Sequence, residues 1–426
     1  AYSQQRIALL RKQVETCWVG VEQLDRANGY IVSRFFGDPA QAMTIIGVTG
    51  TDGKSSVTHL LTQALTRIGK SCASIGTLGY GIGNQLTPDS LTTPDVVSLQ
   101  SRLHQFQQRR CQYVVMEVSS HALEQYRVNG CDFDIAVLTN LGRDHLDYHG
   151  DHESYAAAKA RLFHDFKLSG RVVNADDAFG RQLCASVPPQ NLLRYSVRNQ
   201  HGEAAEVSLL DCNKTGNGQN IRALTPLGEV TAVTALLGHF NVENTLACIA
   251  TLVALGLDHD QIELAVKDLK PIPGRMERFS GGDRRAAAVV DFAHTEQALR
   301  ACLTAAREHC DGMLWCVFGC GGDRDQGKRP GMGRAVEELA DRVIVTDDNP
   351  RNESPQKIVA EILAGMQNAE RASVVHNREA AIEYALSQAS ADDLVVIAGK
   401  GHEQEQIVGN ERRPFSDRHV VARLLQ

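Results

Sequence analysis

No Cys-x-x-Cys pair, no apolar run long enough to span a bilayer and no excess of basic residues occurs in these 426 residues. Each absence removes a class. Without paired spacings, the eleven cysteines do not read as a zinc ribbon or a disulfide framework. Several sit in apolar runs, as Cys72, Cys248 and Cys316 do, and read as reduced core residues. Without a membrane-length run or a signal-peptide pattern, the expectation is a cytoplasmic protein with no membrane partner. A formal net charge of −7 argues against nucleic acid as a partner. Internal repeats and low-complexity tracts are lacking too. What is there is 43% apolar and 22% charged, the composition of a globular chain with room for two or three domains.

The stretch that organises the chain is Gly47-Val48-Thr49-Gly50-Thr51-Asp52-Gly53-Lys54-Ser55-Ser56. It follows a short apolar run and precedes a helix pattern with Val57, Leu60, Leu61, Ala64, Leu65 and Ile68 on one face, closed by Gly69. Strand, glycine-rich turn and helix start bring backbone N–H groups and the positive end of a helix dipole to one point. Lys54 adds a charge for β- and γ-phosphates, and the Ser55 hydroxyl can ligate Mg2+. The loop is one residue longer than the strict GxxxxGK[ST] pattern, since Val48 stands where its first glycine belongs. This is a nucleotide-phosphate site.

Around it the sequence predicts an α/β fold. Residues 1–40 read as a partly helical lead-in. Residues 41–273 read as a P-loop domain, with strands at 44–49, 71–75, 113–118, 135–139 and 171–174 alternating with helices in a mainly parallel sheet. Thr/Val-rich runs over 200–235, broken by Gly216-Asn217-Gly218, predict antiparallel strands appended to that domain. The Pro271-Ile272-Pro273-Gly274 punctuation ends it. Residues 274–426 repeat the alternation, with strands at 287–291, 314–318, 343–346, 373–376 and 394–398, as a smaller Rossmann-like domain.

Three stretches carry more chemistry. Met116-Glu117-Val118-Ser119-Ser120-His121 puts a carboxylate at a strand end, where a P-loop sheet needs a further Mg2+ ligand. Asn140-Leu141-Gly142-Arg143-Asp144-His145-Leu146-Asp147-Tyr148-His149 clusters polar groups after the next strand. Zinc is one reading of it, but no cysteine lies nearby, and Mg2+ suits the phosphate setting better. Lys159, in Ala156-Ala157-Ala158-Lys159, reads by itself as an exposed helix lysine.

In order along the chain, these stretches together with Gly238-His239-Phe240-Asn241-Val242-Glu243-Asn244, Pro273-Gly274-Arg275-Met276-Glu277 and Asp291-Phe292-Ala293-His294-Thr295 resemble the Mur ligase family, from about residue 20 to the C-terminus. Gly321-Gly322-Asp323-Arg324-Asp325, Asp348-Asn349-Pro350-Arg351 and Gly399-Lys400-Gly401-His402-Glu403 resemble the branch that adds meso-diaminopimelate, rather than lysine, to UDP-N-acetylmuramoyl-L-alanyl-D-glutamate. The resemblance implies an ATP- and Mg2+-dependent peptide ligase with these small molecules as its partners, acting as a monomer. Gly50, Thr51, Asp52, Gly53, Lys54, Ser55 and Ser56 are then the phosphate loop. Asn241, Asn244, Arg275, Asp291 and His294 are the other nucleotide contacts. Ser55, Glu117, His145 and Lys159 hold metal, with Lys159 carbamylated by CO2 so that a cation becomes a carboxylate-like ligand. Lys54, Glu117, His145 and Lys159 form the catalytic set. Thr92, Thr93, Ser119, Gln125 and Arg127 take the muramyl dipeptide. Arg324, Asp348, Asn349, Arg351, Gly399 and Glu403 take diaminopimelate.

The sequence departs from the family pattern at four places. Asp52 replaces an asparagine and brings a negative charge beside the phosphates. Ser55-Ser56 replaces Thr-Thr and keeps the hydroxyl. Phe292 and Glu296 replace Tyr and Pro. The 46 residues before Gly47 are too few for the family's uridine-binding domain, so weaker anchoring of UDP is expected. Two other readings fit these departures: a ligase of the same type on a smaller peptide or glutamate acceptor, and a non-catalytic nucleotide-binding homologue.

Overall fold

The structure, a computed structural model, describes residues 20–198, 205–282 and 284–426. The first part of the expected lead-in, residues 1–19, lies outside the described residues, as do 199–204 and 283. The rest of the lead-in holds a helix, Leu24–Phe35.

Eleven strands form the first sheet: β1 (Thr44–Thr49), β2 (Cys72–Gly76), β3 (Gly79–Ile82), β4 (Gln85–Thr87), β5 (Tyr113–Glu117), β6 (Ile135–Leu138), β7 (Gly170–Asn174), β8 (Leu192–Ser196), β9 (Val207–Thr215), β10 (Gly218–Thr225) and β11 (Gly228–Thr234). Their spatial order is β11-β10-β9-β8-β7-β6-β1-β5-β2-β3-β4. Neighbours from β9 across to β2 pair parallel, and the hairpins at both edges pair antiparallel. β1 lies between β5 and β6, with Gly47 opposite Met116 and Ala136.

Helices cover both faces, which is why these strands read as continuous apolar runs. On one face Leu60, Leu61 and Leu65 of the helix Lys54–Arg67 pack with Leu246 and Ile249 of the helix His239–Ala254. On the other, Leu99 and Leu103 of Val96–Gln108 join Leu162 and Phe163 of His152–His164. The apolar face expected over 57–68 is the buried one, and Gly69 ends the helix at φ +76°.

A second sheet contains β12 (Glu277–Phe279), β13 (Ala287–Asp291), β14 (Leu314–Phe318), β15 (Arg342–Val345), β16 (Ala372–Val374) and β17 (Leu394–Ala398), in the order β12-β13-β17-β14-β15-β16. All neighbours pair parallel except β12 with β13. Helices again cover both faces, around two separate cores. A hairpin of β18 (Glu405–Val408) and β19 (Glu411–Pro414) follows. Parallel strands present all their C-terminal ends on one side, and the loops there form the binding edge of each sheet. Among the described residues no helix is long and apolar enough to cross a membrane.

Candidate active site between the two sheets

The loop after β1 reaches its shape only because two positions lack a side chain. Gly50 has φ +150° and Gly53 φ +82°; a Cβ would stand 1.9 Å from Thr139 Oγ1 at the first and 2.7 Å from Asn244 Oδ1 at the second. Neighbouring strand ends then pin the loop. Thr51 N donates to Asn140 O and Asp52 N to Asn140 Oδ1, each at 2.9 Å, and the Thr139 hydroxyl donates to Asp52 O at 2.6 Å. Lys54 Nζ folds back onto Gly50 O (2.9 Å) and Thr51 O (2.8 Å), and burial lowers its pKa. A phosphate oxygen can replace those carbonyls without moving the backbone.

Glu117, at the end of β5, is 2% exposed. Ser55 Oγ donates to its Oε2 at 2.9 Å, Thr77 N to Oε1 at 2.8 Å and Thr77 Oγ1 to Oε2 at 3.1 Å. Burial raises its pKa against the pull of these donors and of Lys54. A carboxylate and a hydroxyl held in contact beside a phosphate loop are hard oxygen donors of the kind Mg2+ takes. Among the described residues no three His, Cys, Asp or Glu side chains converge on one point, so a metal here would complete its shell from other groups.

Lys159 is not an exposed helix lysine. It is 1% exposed, donates to Gly50 O at 2.7 Å and sits 4.6 Å from the centre of the Tyr155 ring. Burial first, and the Lys54 charge second, push its amine down to about 6. The amine is therefore neutral and nucleophilic at neutral pH. Between about 6 in the fold and the ordinary 10.5 the unfolded chain binds one more proton, so stability falls as pH drops through that window and levels off below it. Lys159→Met should therefore raise the melting temperature more at pH 6 than at pH 10, as thermal denaturation at both values will measure.

His145 follows β6 and is half exposed. Its ring packs 4.7 Å from His121 and 6.2 Å from Tyr155, and its Nε2 lies 3.4 Å from Asp144. Lys54, Ser55, Glu117, His145, Lys159 and Arg275 share the lining of a cavity of about 250 Å3. A second cavity of about 360 Å3 continues from it past Asp52, Gly53, Ser56 and Arg275, which line both, to Asn241, Asn244 and Asp291. Asn244 Nδ2 donates to Asn241 Oδ1 at 3.0 Å, and Asn241 Nδ2 to Leu237 O at 2.8 Å. Asp291 accepts from Met276 N and Ala293 N, and burial raises its pKa. The Arg275 guanidinium lies 5.5 Å from the Phe292 ring centre, and its Nε has no partner among the described residues. His294 is not brought into this cavity; it is exposed, with Nδ1 2.8 Å from Phe292 O.

Of the expected acceptor residues, Thr92 and Ser119 line the smaller cavity, and Thr93, Gln125 and Arg127 connect to them through hydrogen bonds. Thr92 Oγ1 meets Thr77 Oγ1 at 3.0 Å, and Thr93 Oγ1 donates to Glu117 O and accepts from Ser119 N. Arg127 donates to Thr93 O (3.2 Å) and Gln125 Oε1 (2.8 Å), and Gln125 donates to the Tyr148 hydroxyl. A third cavity of about 910 Å3 shares Ser55 and Glu117 with it and reaches His402 and Gln404 beyond β17.

The other expected amino-acid contacts gather at the ends of three adjacent strands, β15, β14 and β17. Arg351 Nη1 donates to Gly322 O at 2.8 Å, while Arg324 is exposed. Asn349 Nδ2 donates to Glu403 Oε2 at 2.9 Å. Gly399, at φ +121°, lets Asp348 Oδ2 approach to 2.6 Å of where a Cβ would be.

Sequence reasoning missed Thr77, Tyr155, His121 and Lys400. Tyr155 carried a signal, standing one helical turn before Lys159. Thr77 closes a Gly76-Thr77 strand end and carried none.

Residues 48–252 match the Mur ligase middle domain and residues 274–401 the Mur ligase glutamate ligase domain. The chain is 46% identical over 410 residues to the UDP-N-acetylmuramoyl-L-alanyl-D-glutamate–2,6-diaminopimelate ligase of Alkalilimnicola ehrlichii, covering 96% of this chain and 81% of that protein. It is 47% identical over 387 residues to the ligase of the same name from Ectopseudomonas mendocina, covering 91% and 79%. A solved structure of a ligase of that name superposes with a TM-score of 0.76 at 38% identity, covering 97% of this chain and 84% of the other. On both domain matches and on identity sustained across nearly its whole length, the chain belongs to the Mur ligase family.

Proposed function

We propose that the chain is an ATP-dependent amide ligase, which joins meso-diaminopimelate to the D-glutamate of UDP-N-acetylmuramoyl-L-alanyl-D-glutamate. The observation that carries this is the meeting of phosphate loop, Glu117 and neutral Lys159 in one groove, in a chain 46% identical to a ligase of that name. Its working units are residues 41–273, which hold the nucleotide, and 274–426, which bring the amino acid.

The reaction balances as follows. A carboxylate oxygen of the acceptor attacks the γ-phosphorus of ATP, the bond to ADP breaks, and an acyl phosphate forms. The amino-acid amine attacks the acyl carbon, loses a proton, and phosphate leaves with the carboxylate oxygen. Little of this is covalent work for the protein. Positioning and charge neutralisation carry it. Lys54 exchanges its loop carbonyls for phosphate oxygens. Arg275 reaches both the nucleotide cavity and the phosphate cavity, so it ties the second unit to the γ-phosphate. Closure around the intermediate excludes water that would hydrolyse it.

Ser55 and Glu117 fit Mg2+, which would supply charge neutralisation at the phosphates; His145 and Lys159 would hold a second ion. Lys159 Nζ fits carbamylation: its neutral amine bonds the carbon of CO2, one carbon–oxygen π pair moves to oxygen, and nitrogen releases a proton. The product is an anion at a place where an ammonium would repel metal.

The test is phosphate release. It should require ATP, acceptor and diaminopimelate together; ATP binding without turnover would favour a non-catalytic homologue. One charge decides the amino acid. Diaminopimelate differs from lysine by a distal carboxylate, and the Arg351 fork can accept it. Leaving that guanidinium unpaired costs about 2–5 kcal/mol, so Arg351→Ala should lower kcat/KM for diaminopimelate by roughly thirtyfold or more. The weak rate with lysine should barely move. Measuring both amines on both proteins decides it, and equal loss for the two would remove Arg351 from this role.

A further inference from the structure

Lys400 is fully buried, at 0% exposure, behind the loops that carry Asn349 and Glu403. Its Nζ donates to Asn349 Oδ1 at 3.0 Å and to Glu403 Oε2 at 2.8 Å. The Ile407 backbone N–H donates to the same Asn349 Oδ1 at 2.9 Å. Lysine and a backbone N–H are donors only, so the amide must turn its oxygen toward both. Asn349 Nδ2 is thereby aimed at Glu403 Oε2, 2.9 Å away. One carboxylate oxygen of Glu403 thus takes two donors. The other, Oε1, receives none among the described residues, and the Glu403 side chain is 35% exposed. The other buried cation nearby, Arg378, is already matched by Asp417 at 2.7 Å, with both side chains at 0% exposure.

We propose that Lys400 is a positioning residue for the amino-acid substrate. It does not touch the substrate. It locks the Asn349 amide in one orientation and holds Glu403 by a single oxygen, which leaves Oε1 to accept from the substrate's ammonium. Without Lys400, Ile407 alone orients the amide, and the Glu403 carboxylate is held by the Asn349 amide alone. A lysine buried behind Asn349 and Glu403 therefore sets affinity for the amino acid, while ATP and acceptor sites, built on other loops, do not depend on it. The inference rests on the reaction proposed above, in which this pocket takes diaminopimelate.

Michaelis constants for diaminopimelate, ATP and acceptor, measured on the full chain, test it with Lys400→Met, Glu403→Gln and the double variant. Methionine fills the same space without a donor. Its KM for diaminopimelate should rise about tenfold or more, the loss of a charge-assisted hydrogen bond, with the other two constants within about twofold. In the Glu403→Gln background Lys400→Met should add little, because both act through one carboxylate. An unchanged KM for diaminopimelate, an equal rise for all three substrates, or a full additional loss in the double variant would overturn the proposal. If the methionine variant does not fold, Lys400→Gln, which keeps a donor to Asn349 but loses the charge facing Glu403, should raise the same KM by a smaller factor, and an unchanged KM there would overturn the proposal. A wild type that uses another amino acid in place of diaminopimelate would sink the substrate assignment instead. The KM for that amino acid would then decide Lys400 on the same terms.

Discussion

Lys159→Ala is expected to reduce turnover about a thousandfold or more, the scale on which phosphoryl-transfer sites lose activity when one charge-stabilising group goes. The ATP dissociation constant should change far less, because Asn140 and Thr139 still pin the phosphate loop when the Lys159 bond to Gly50 O is lost. Formate or acetate should restore roughly tenfold, since a free carboxylate must be captured from solution where the proposed carbamate would be tethered. Activity should also fall in CO2-depleted buffer and return on adding bicarbonate. This follows from three facts read together: the amine is 1% exposed, pushed down to about 6, and faces the cavity that Glu117 and Ser55 line. A fully active alanine variant would leave Lys159 as a strut beneath the loop.

Glu117→Gln gives the second large effect. The glutamine keeps an oxygen for Thr77 N and nearly the same volume, so the fold should survive. It loses the charge. Removing a mere supporting partner of a metal ligand costs ten- to a hundredfold, so if Glu117 holds Mg2+ as proposed, its loss should cost at least about a hundredfold in turnover. The Mg2+ concentration for half-maximal rate should rise as well. Ser55→Ala should show a smaller shift in the same direction, and assaying both variants across Mg2+ concentration separates metal binding from folding. A Mg2+ dependence that did not move would reassign Glu117 to holding Thr77 and the β2 end.

Much of this site was legible because parallel strands buried on both faces leave unbroken apolar runs. Val114-Val115-Met116 and Val395-Val396-Ile397 are all 0% exposed, and the polar residues that follow such runs fall at the binding edge by topology. The antiparallel strands expected over 200–235 are β9, β10 and β11, in the same sheet as the phosphate loop. The short edge pieces were not legible. β3 and the turn into β4 are built on Gly79, Gly81 and Gly83, which carry no alternation, while β18 is four residues long and β19 is a charged run closed by Pro414. Nor was the burial of Lys159, since its flanking alanines mark no face; only tertiary packing of that helix against the Gly50 turn encloses the amine. Lys400 was hidden in the same way. A lysine between two glycines reads as a loop residue until β15 and β17 are seen side by side with β14.

If an acyl phosphate joins ATP to amide formation, one acceptor carboxylate oxygen must leave with phosphate, and following that atom tests the reaction. Acceptor labelled with 18O in the D-glutamate carboxylate is turned over with ATP and diaminopimelate, and the inorganic phosphate is analysed by mass. One labelled oxygen per phosphate is the predicted result, because the carboxylate oxygen that attacks phosphorus leaves with it. Unlabelled phosphate released alongside amide product would contradict the account, since phosphorus would then have been attacked by something other than the acceptor.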